Sequence, residues 1–383
     1  MISIKFRKLS EISRISGQIF TIRLRHKLNK KTNEKDLKLA TDVVNYLENS
    51  EEYRDVKDKL PNSLLRKYKT PESMYLINRK TAKYIAKTVT SHINEESAVV
   101  EVNPGLGFLS EELLHCMSNH IYMYETSNHF SPHLNSLLNK HPGRVTYKIA
   151  DFFGMWKLAF KDKMDNGNRI QELLGSLSTN DNSRTVKIIG SMPGLTFIKH
   201  LLNNIIFHTT NNQLGRTDLF ITMPGHHYEL EESRLYLVNI TQKEELPCPS
   251  EYLPLLWYFF KPHMFSKSTR VIPMLEQWIP GCGVWLISGQ DPPDTNKTIA
   301  PGKDDAELPH MTIFTEFGDL TLKQKITIFK RFVSWPEFDQ CPFKVTMENN
   351  LPKFVLNLED EDKDNIGTHI DDITDHSDAE IET

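Results

Sequence analysis

The chain has 383 residues with a formal net charge of -4 and 39% hydrophobic residues, which is enough apolar material for one large or two smaller packed domains. It contains no run of about 18 apolar residues of the kind that crosses a membrane. Its four cysteines lack the short spacings of a zinc site and are few for a disulfide scaffold, so a reducing compartment and no metal site are expected.

Charge is concentrated at the two ends of the sequence. Residues 1–40 carry 11 Lys or Arg against 3 Asp or Glu, whereas residues 359–383 carry 1 Lys against 11 acids. The basic, acid-poor start at 1–35 is typical of a mitochondrial presequence, with a basic arm as the alternative. The acidic end has too few apolar groups to fold and is expected to be disordered. It is either inert, a contact for a basic protein surface, or a repulsive segment that keeps the chain off nonspecific DNA.

The elements between these ends alternate between strands and helices. An N-terminal helical extension is predicted at 36–72, and Asn78 is expected to cap the next helix. Alternation of strands with helices predicts an α/β fold with a parallel, doubly wound sheet. The predicted strands lie near 98–102, 120–124, 145–150, 186–190 and 218–223, and the predicted helices near 109–117, 130–139, 168–177 and 195–208.

The later part of the chain follows a looser pattern. The polar segment 161–183 is expected to be a solvent-facing insertion with a short helix inside it, and 284–287 to be a further strand. A Pro-, Asp- and Gly-rich linker is expected at 291–305, and a small helical domain with Asp319 as a helix cap at 306–350.

The stretch after the first predicted strand has the chemistry of a nucleotide-type site. Glu101 ends the strand and Asn103-Pro-Gly105-Leu-Gly107 forms a glycine turn before a helix. Glu125 follows the second strand, where a carboxylate holds ribose hydroxyls. After the third strand, Asp151 is suited to an adenine amine, with Phe152 beside it to cover the ring. Acids at three successive strand ends, without a basic phosphate cradle, indicate S-adenosylmethionine as the cofactor.

These motifs resemble the ribosomal RNA adenine dimethyltransferase family, and most closely its mitochondrial transcription factor B group, second paralogue. The resemblance extends over about Ser73–Trp335 and rests on Tyr75–Asn78, the glycine turn, Tyr124-Glu125, Asp151–Phe153, Lys187–Pro193 and Leu320–Phe332. It implies a Rossmann-like S-adenosylmethionine-dependent methyltransferase domain at 73–290 with a small C-terminal helical domain. It also implies a location in the mitochondrial matrix and a cofactor site that includes Tyr75.

The catalytic motif departs from the family pattern. Active members have Asn-Leu-Pro followed by Tyr or Phe, in which the amide orients the target adenine amine and the aromatic ring stacks on the base. The matching residues here are Ser191-Met192-Pro-Gly194, which lack both the amide and the ring. If the chain is nevertheless catalytic, Ser191 and the carbonyl of Met192 would face the amine.

The resemblance to the paralogue implies a transcription initiation factor that binds mitochondrial RNA polymerase and helps to melt promoter DNA. Alternatives are an active N6-adenine dimethyltransferase of small-subunit ribosomal RNA and a noncatalytic RNA-binding protein of the mitochondrial ribosome. The candidate nucleic-acid contacts are basic residues, which an ordinary solvated surface would explain equally well. They are Lys261, Arg270, Lys323, Lys325, Lys330 and Arg331.

Overall fold

A computed structural model describes residues 2–8, 41–65, 75–177, 185–191, 195–207, 214–224, 235–242, 246–265, 268–288, 308–309 and 311–357. The predicted linker and the acidic end therefore lie outside the described residues. The chain divides into two compact units, Met1–Glu244 and Glu245–Thr383. No helix in the described ranges is long and apolar enough to cross a membrane.

The first unit is built on a seven-stranded sheet with the order β1-β7-β6-β5-β2-β3-β4. The strands are β1 (Ile2–Lys8), β2 (Ala98–Val102), β3 (Ile121–Glu125), β4 (Val145–Ile149), β5 (Thr185–Ser191), β6 (Arg216–Pro224) and β7 (Leu235–Gln242). The five strands β2 to β6 are parallel, which confirms the predicted doubly wound pattern, and β7 and β1 extend the sheet in antiparallel pairing.

Helices cover both faces of this sheet, as the alternating sequence pattern predicts. They are α1 (Thr41–Asn49), α2 (Arg54–Lys57), α3 (Arg79–Thr90), α4 (Phe108–Cys116), α5 (Ser131–Lys140), α6 (Met155–Asp165), α7 (Arg169–Leu174) and α8 (Leu195–Ile206). One apolar core includes side chains from the N-terminal helices, α3, α4 and α5. The opposite core includes side chains from α6, α7 and β6. Helix α3 begins at Asn78, whose side-chain oxygen accepts from the Thr81 backbone N at 2.8 Å and confirms the predicted cap.

Two antiparallel strands were not predicted. Residues 2–8, read from composition as a presequence or basic arm, pair as β1 with β7 in a register that places Ile4 opposite Ile240. The alternation of Ile2, Ile4 and Phe6 with polar residues is the period-two pattern of a strand. The excess of Lys and Arg over residues 1–35 led instead to the interpretation as a presequence or basic arm. Residues 9–40 lie outside the described part, so the structure leaves the presequence prediction untested.

The polar segment from Lys161 is largely exposed up to Asn168 and contains the short helix expected within it, but that helix is buried on one side. The segment continues α6 to Asp165 and then forms α7, whose Ile170, Leu173 and Leu174 are buried. Asp162 joins the two helices by accepting from the backbone N of Ile170 at 2.9 Å. The apolar side chains of α7 join the core beneath the sheet, which the polar composition of the segment did not predict.

The second unit is helical, with α9 (Leu253–Phe265), α10 (Val271–Trp278), α11 (Cys282–Ser288), α12 (Leu322–Val333) and α13 (Pro342–Asn357). The predicted strand at 284–287 is wrong, because these residues belong to α11. Its start is held by the Glu276 carboxylate, which accepts from the Gly283 backbone N at 2.6 Å. The predicted cap is also wrong: Thr321 caps α12, and Asp319 instead accepts from the Glu316 backbone N at 3.0 Å.

Aromatic packing explains why the unit boundary falls before α9 rather than at residue 290. The fully buried ring of Phe259 contacts Phe317, Phe329 and Phe332 at centroid distances of 5.9, 5.4 and 5.8 Å. Trp278 packs on the same cluster, with its ring centroid 5.7 Å from that of Phe332. Helix α9 therefore belongs to the helical unit, which starts earlier in the chain than the small helical domain predicted at 306–350.

Candidate functional site

Acidic residues converge at the carboxyl edge of the parallel strands. Glu101 lies in β2, Glu125 ends the neighbouring β3, and Asp151 follows β4. Parallel strands end at one edge of a sheet, so side chains far apart in sequence meet there, and this crevice is where open α/β sheets bind ligands. The structure thus brings together the three acids that the sequence analysis selected.

The glycine turn between β2 and α4 is left-handed at three positions. Asn103, Gly105 and Gly107 have φ angles of 56, 59 and 76°. Asn tolerates the left-handed region better than most residues other than glycine, so it can occupy the first of these three positions. Gly107 precedes the first residue of α4, whose N-terminus therefore points into the same crevice.

Glu125 is the most heavily bonded group in the site. Its Oε2 accepts from the Gly105 backbone N at 3.0 Å. Its Oε1 accepts from the Tyr75 hydroxyl at 3.0 Å and from the Ser127 backbone N at 2.9 Å. The side chain is 0% exposed. The carboxylate predicted to hold ribose hydroxyls is therefore occupied by groups of the protein itself.

Tyr75 is placed by the N-terminal helical segment, which we define as residues 41–65. Asn78, three residues after Tyr75, donates to the Tyr53 hydroxyl and, at 3.3 Å, to Glu52. Tyr75 and Tyr53 share one apolar core. On the far side of Tyr75, its ring packs on Phe130 at a centroid distance of 4.7 Å. Sequence analysis missed this coupling because it joins segments that have no common motif.

Glu101 is buried at 2% exposure, and its Oε2 has no hydrogen-bond partner among the described residues. Burial raises the pKa of its carboxyl to about 7; nearby Glu125 adds to this, and Ser110 offsets part of it. The Oδ1 of Asn103 is likewise buried and unpaired within the described ranges. Both residues line a cavity of about 20 Å³, which is room for one water molecule.

The residues predicted around an adenine ring are only partly brought to the site. Asp151 is exposed, and its Oδ1 accepts from the Gly154 backbone N at 2.8 Å, which holds the carboxylate at the start of α6. Phe152, by contrast, is fully buried against Tyr124 at 4.8 Å. Its ring belongs to the core beneath the sheet, so in this structure it does not cover a ligand.

The catalytic motif lies at the end of β5, next to β2. The Ser191 hydroxyl shares a hydrogen bond of 2.7 Å with the hydroxyl of Thr222 on β6, and both residues line the same small cavity as Glu101. Met192 lies outside the described residues, as do Pro193 and Gly194. Thr222 is a neighbour that sequence analysis missed, because it comes from a strand without a recognised motif.

The predicted basic contacts differ in exposure. Arg270 is exposed, and its guanidinium lies 5.2 Å from the ring centroid of Phe314, which is 64% exposed. On α12, Lys323 is exposed, whereas the other three predicted basic residues of this helix are half-buried and engaged in further interactions; they are Lys325, Lys330 and Arg331. The side chain of Lys261 is outside the described part of the structure. Phe314 was not predicted, since a lone aromatic in a loop carries no sequence signal.

The fold and the acids at the strand ends define a Rossmann-like domain of the methyltransferase class. The family profile described as ribosomal RNA adenine dimethylase matches residues 65–229. The chain is 30% identical to the Drosophila melanogaster protein named dimethyladenosine transferase 2, mitochondrial, over 80% of this chain and 86% of that one. The chain belongs to the ribosomal RNA adenine dimethylase family.

Two solved structures are more distant matches. The 23S ribosomal RNA methyltransferase ErmE is 12% identical with a TM-score of 0.41, covering 68% of this chain and 99% of its own. A dimethyladenosine transferase from Plasmodium falciparum is 11% identical with a TM-score of 0.30, covering 55% of this chain and 76% of its own.

The family and fold imply S-adenosylmethionine as the cofactor, as the sequence predicted, and the residues present fit it. Glu101 and Asn103 offer two buried, unpaired acceptor oxygens, which suit the donor groups of a cationic amino acid. A Cβ on Gly105 would lie 2.7 Å from Cδ1 of Tyr75, so glycine at this position lets the Tyr75 ring lie against the backbone of the turn. Within the described residues, no group of three or more His, Cys, Asp or Glu is arranged to hold a metal ion.

Proposed function

We propose that this chain is a mitochondrial transcription initiation factor, located in the matrix, that assists the mitochondrial RNA polymerase in melting promoter DNA. The mitochondrial name of the Drosophila relative supports the compartment. The observation that carries the proposal is at Ser191. Its hydroxyl is bonded to Thr222, and the position supplies no amide to orient an adenine amine. A family fold whose base-modifying site is altered in this way is suited to binding nucleic acid rather than modifying it.

The exposed ring of Phe314 supports a single-strand contact in the second unit. Residues 312–315 form a hydrogen-bonded turn: the Thr312 backbone N donates to Thr315 Oγ1 at 2.9 Å, and the Phe314 backbone N donates to Thr312 Oγ1 at 3.2 Å. An exposed aromatic ring beside an arginine guanidinium is the combination on which unpaired bases stack near a phosphate. We infer that Arg270 and Phe314 together hold one unpaired base.

A reconstituted transcription reaction tests the proposal. Mitochondrial RNA polymerase is assayed with and without the full chain, on duplex promoters and on templates premelted around the start site. We expect the chain to be required on duplex DNA and dispensable on premelted DNA. Full polymerase activity on duplex DNA without the chain would contradict the proposal.

The stacking contact has its own matched pair of variants. Phe314→Ala is expected to weaken binding of a single-stranded oligonucleotide by about 5- to 150-fold, the size of a base–aromatic stack. Ile313→Ala removes an exposed apolar side chain from the same turn and is expected to leave binding unchanged. Fluorescence anisotropy measures both, and equal affinities for the two variants would argue against the contact.

The second candidate function is N6-adenine dimethylation of mitochondrial small-subunit ribosomal RNA. It is favoured by the left-handed conformation of the glycine turn and by the unpaired acceptors of Glu101 and Asn103. In that case S-adenosylmethionine supplies the methyl group, while Glu101, Asn103 and Asp151 hold the cofactor and Ser191 faces the target amine. Methyl transfer to a small-subunit ribosomal RNA hairpin, abolished by Gly105→Asp, would support this function. Cofactor binding without methyl transfer would instead support the transcription initiation function.

A further inference from the structure

We propose that Tyr75 is a gate that closes the ribose subsite of the cofactor pocket and must open before cofactor binds. The proposal rests on the cofactor-binding part of the proposed function. It begins at Glu125, where Oε1 already accepts from the Tyr75 hydroxyl and the Ser127 backbone N, and from Thr126 Oγ1 at 3.4 Å. A carboxylate oxygen with three donors has no lone pair left for a ribose hydroxyl.

The Tyr75 ring also covers the glycine turn. A Cβ built on Gly105 would meet Tyr75 Cδ1 at 2.7 Å and Cγ at 3.4 Å, so the ring lies directly on the backbone of the turn. In this class of fold the glycines permit close approach of a ligand to that backbone. Here the chain's own side chain uses the space, and Glu125 beneath it is 0% exposed.

The gate is anchored outside the site. Asn78 ties the segment that follows Tyr75 to Tyr53 and Glu52 in the N-terminal helical segment. A second hydrogen bond joins the N-terminal helical segment to the loop after β3. There, Nε2 of His129 lies 3.0 Å from the carbonyl oxygen of Lys59. The N-terminal helical segment thus sets the closed position of the ring, and opening requires the phenol to leave Glu125 while these ties hold.

The energetic consequence is a reduced apparent affinity. A ligand that binds only the open state has its apparent dissociation constant raised by the inverse of the open fraction. A hydrogen bond to a charged acceptor is strong enough to keep that fraction at roughly one tenth to one hundredth. Removing the Tyr75 hydroxyl leaves Glu125 Oε1 with the Ser127 backbone N and the long 3.4 Å contact to the rotatable Thr126 hydroxyl, which a ribose hydroxyl can displace. The ring stays in place, so the open state becomes easier to reach.

Isothermal titration calorimetry of the full chain with S-adenosylhomocysteine tests the gate without turnover. We expect Tyr75→Phe to bind this probe about 10- to 100-fold more tightly than the wild type. The matched control is Tyr124→Phe, which also loses one buried hydroxyl hydrogen bond, at 3.1 Å to the Leu173 carbonyl oxygen, on the opposite face of the sheet. Its affinity is expected to equal that of the wild type. The gain in Tyr75→Phe is expected to be smaller for the 2′-deoxy analogue of the probe, which has one ribose hydroxyl fewer.

The outcomes separate the gate from the proposed function. If the wild type binds the probe and Tyr75→Phe binds it with equal or weaker affinity, the gate is overturned, while the cofactor site is retained. No binding to either protein overturns both the gate and the cofactor site. If Tyr75→Phe fails to fold, 3-fluorotyrosine at position 75 of the otherwise unchanged chain gives a ¹⁹F resonance, which the gate predicts will shift on saturation with the probe. An unshifted resonance at saturation overturns the gate.

Discussion

Replacing Glu101 by Gln removes a buried carboxyl whose pKa is raised to about 7. In the unfolded chain this carboxyl titrates at the ordinary value of 4.5. Between these two pH values the folded protein binds a proton that the unfolded chain has lost. The wild type is therefore stabilised at low pH, and it loses that stability as the pH rises through 7.

The magnitude follows from the two pKa values. The step from 4.5 to about 7 corresponds to about 3 kcal/mol of unfolding free energy, since one pKa unit is about 1.4 kcal/mol. The cause is burial, which penalises the charged carboxylate, together with the nearby Glu125. Glu101→Gln keeps the shape and removes the titration, so the variant should lack this pH dependence.

Urea denaturation at pH 5, 6, 7 and 8 measures the effect. The unfolding free energy of the wild type minus that of Glu101→Gln should fall by about 2–3 kcal/mol across this range, because part of the loss already lies below pH 5. A difference that stays constant with pH would refute the reasoning, because it would mean that Glu101 titrates alike in the folded and unfolded chain. Matched titrations of both proteins with S-adenosylhomocysteine should show affinity rising with pH only for the wild type, because an ionised Glu101 attracts the ammonium group of the ligand.

Three further predictions concern the scaffold of the site. Gly105→Asp should abolish cofactor binding, because position 105 is left-handed and closed by Tyr75; Gly143→Ala, also at positive φ but with no neighbour within 4 Å, should bind normally in the same calorimetric titration. Lys187→Ala should lower the unfolding free energy by about 3–5 kcal/mol in urea, because it leaves the buried partner Asp218, now bonded at 2.6 Å, without its cation. The double replacement by Met and Leu should recover most of that loss, and a single variant as stable as the wild type would contradict the argument. Asn78→Ala should cost at least about 1 kcal/mol in thermal denaturation, because it removes a helix cap and the ties to the N-terminal helices.

The sequence by itself determined the central part of the fold. Buried β-branched runs separated by amphipathic segments have only one stable arrangement, a parallel sheet covered by helices, so the five strands β2 to β6 lie within a few residues of their predicted bounds. The helix cap at Asn78 and the left-handed turn at Asn103–Gly107 were also predictable, because each depends on local backbone chemistry.

The tertiary structure decided everything that depends on distant partners. Residues 284–287 form a helix whose start is held by hydrogen bonds to the Glu276 carboxylate. The ring of Phe152 lies in the core because it packs against Tyr124 and Phe197. The bond between Tyr75 and Glu125 joins residues 50 positions apart, and neither residue alone predicts it. Local sequence encodes local hydrogen bonding and periodicity, whereas the occupancy of a buried carboxylate depends on which donors the packed chain brings to it.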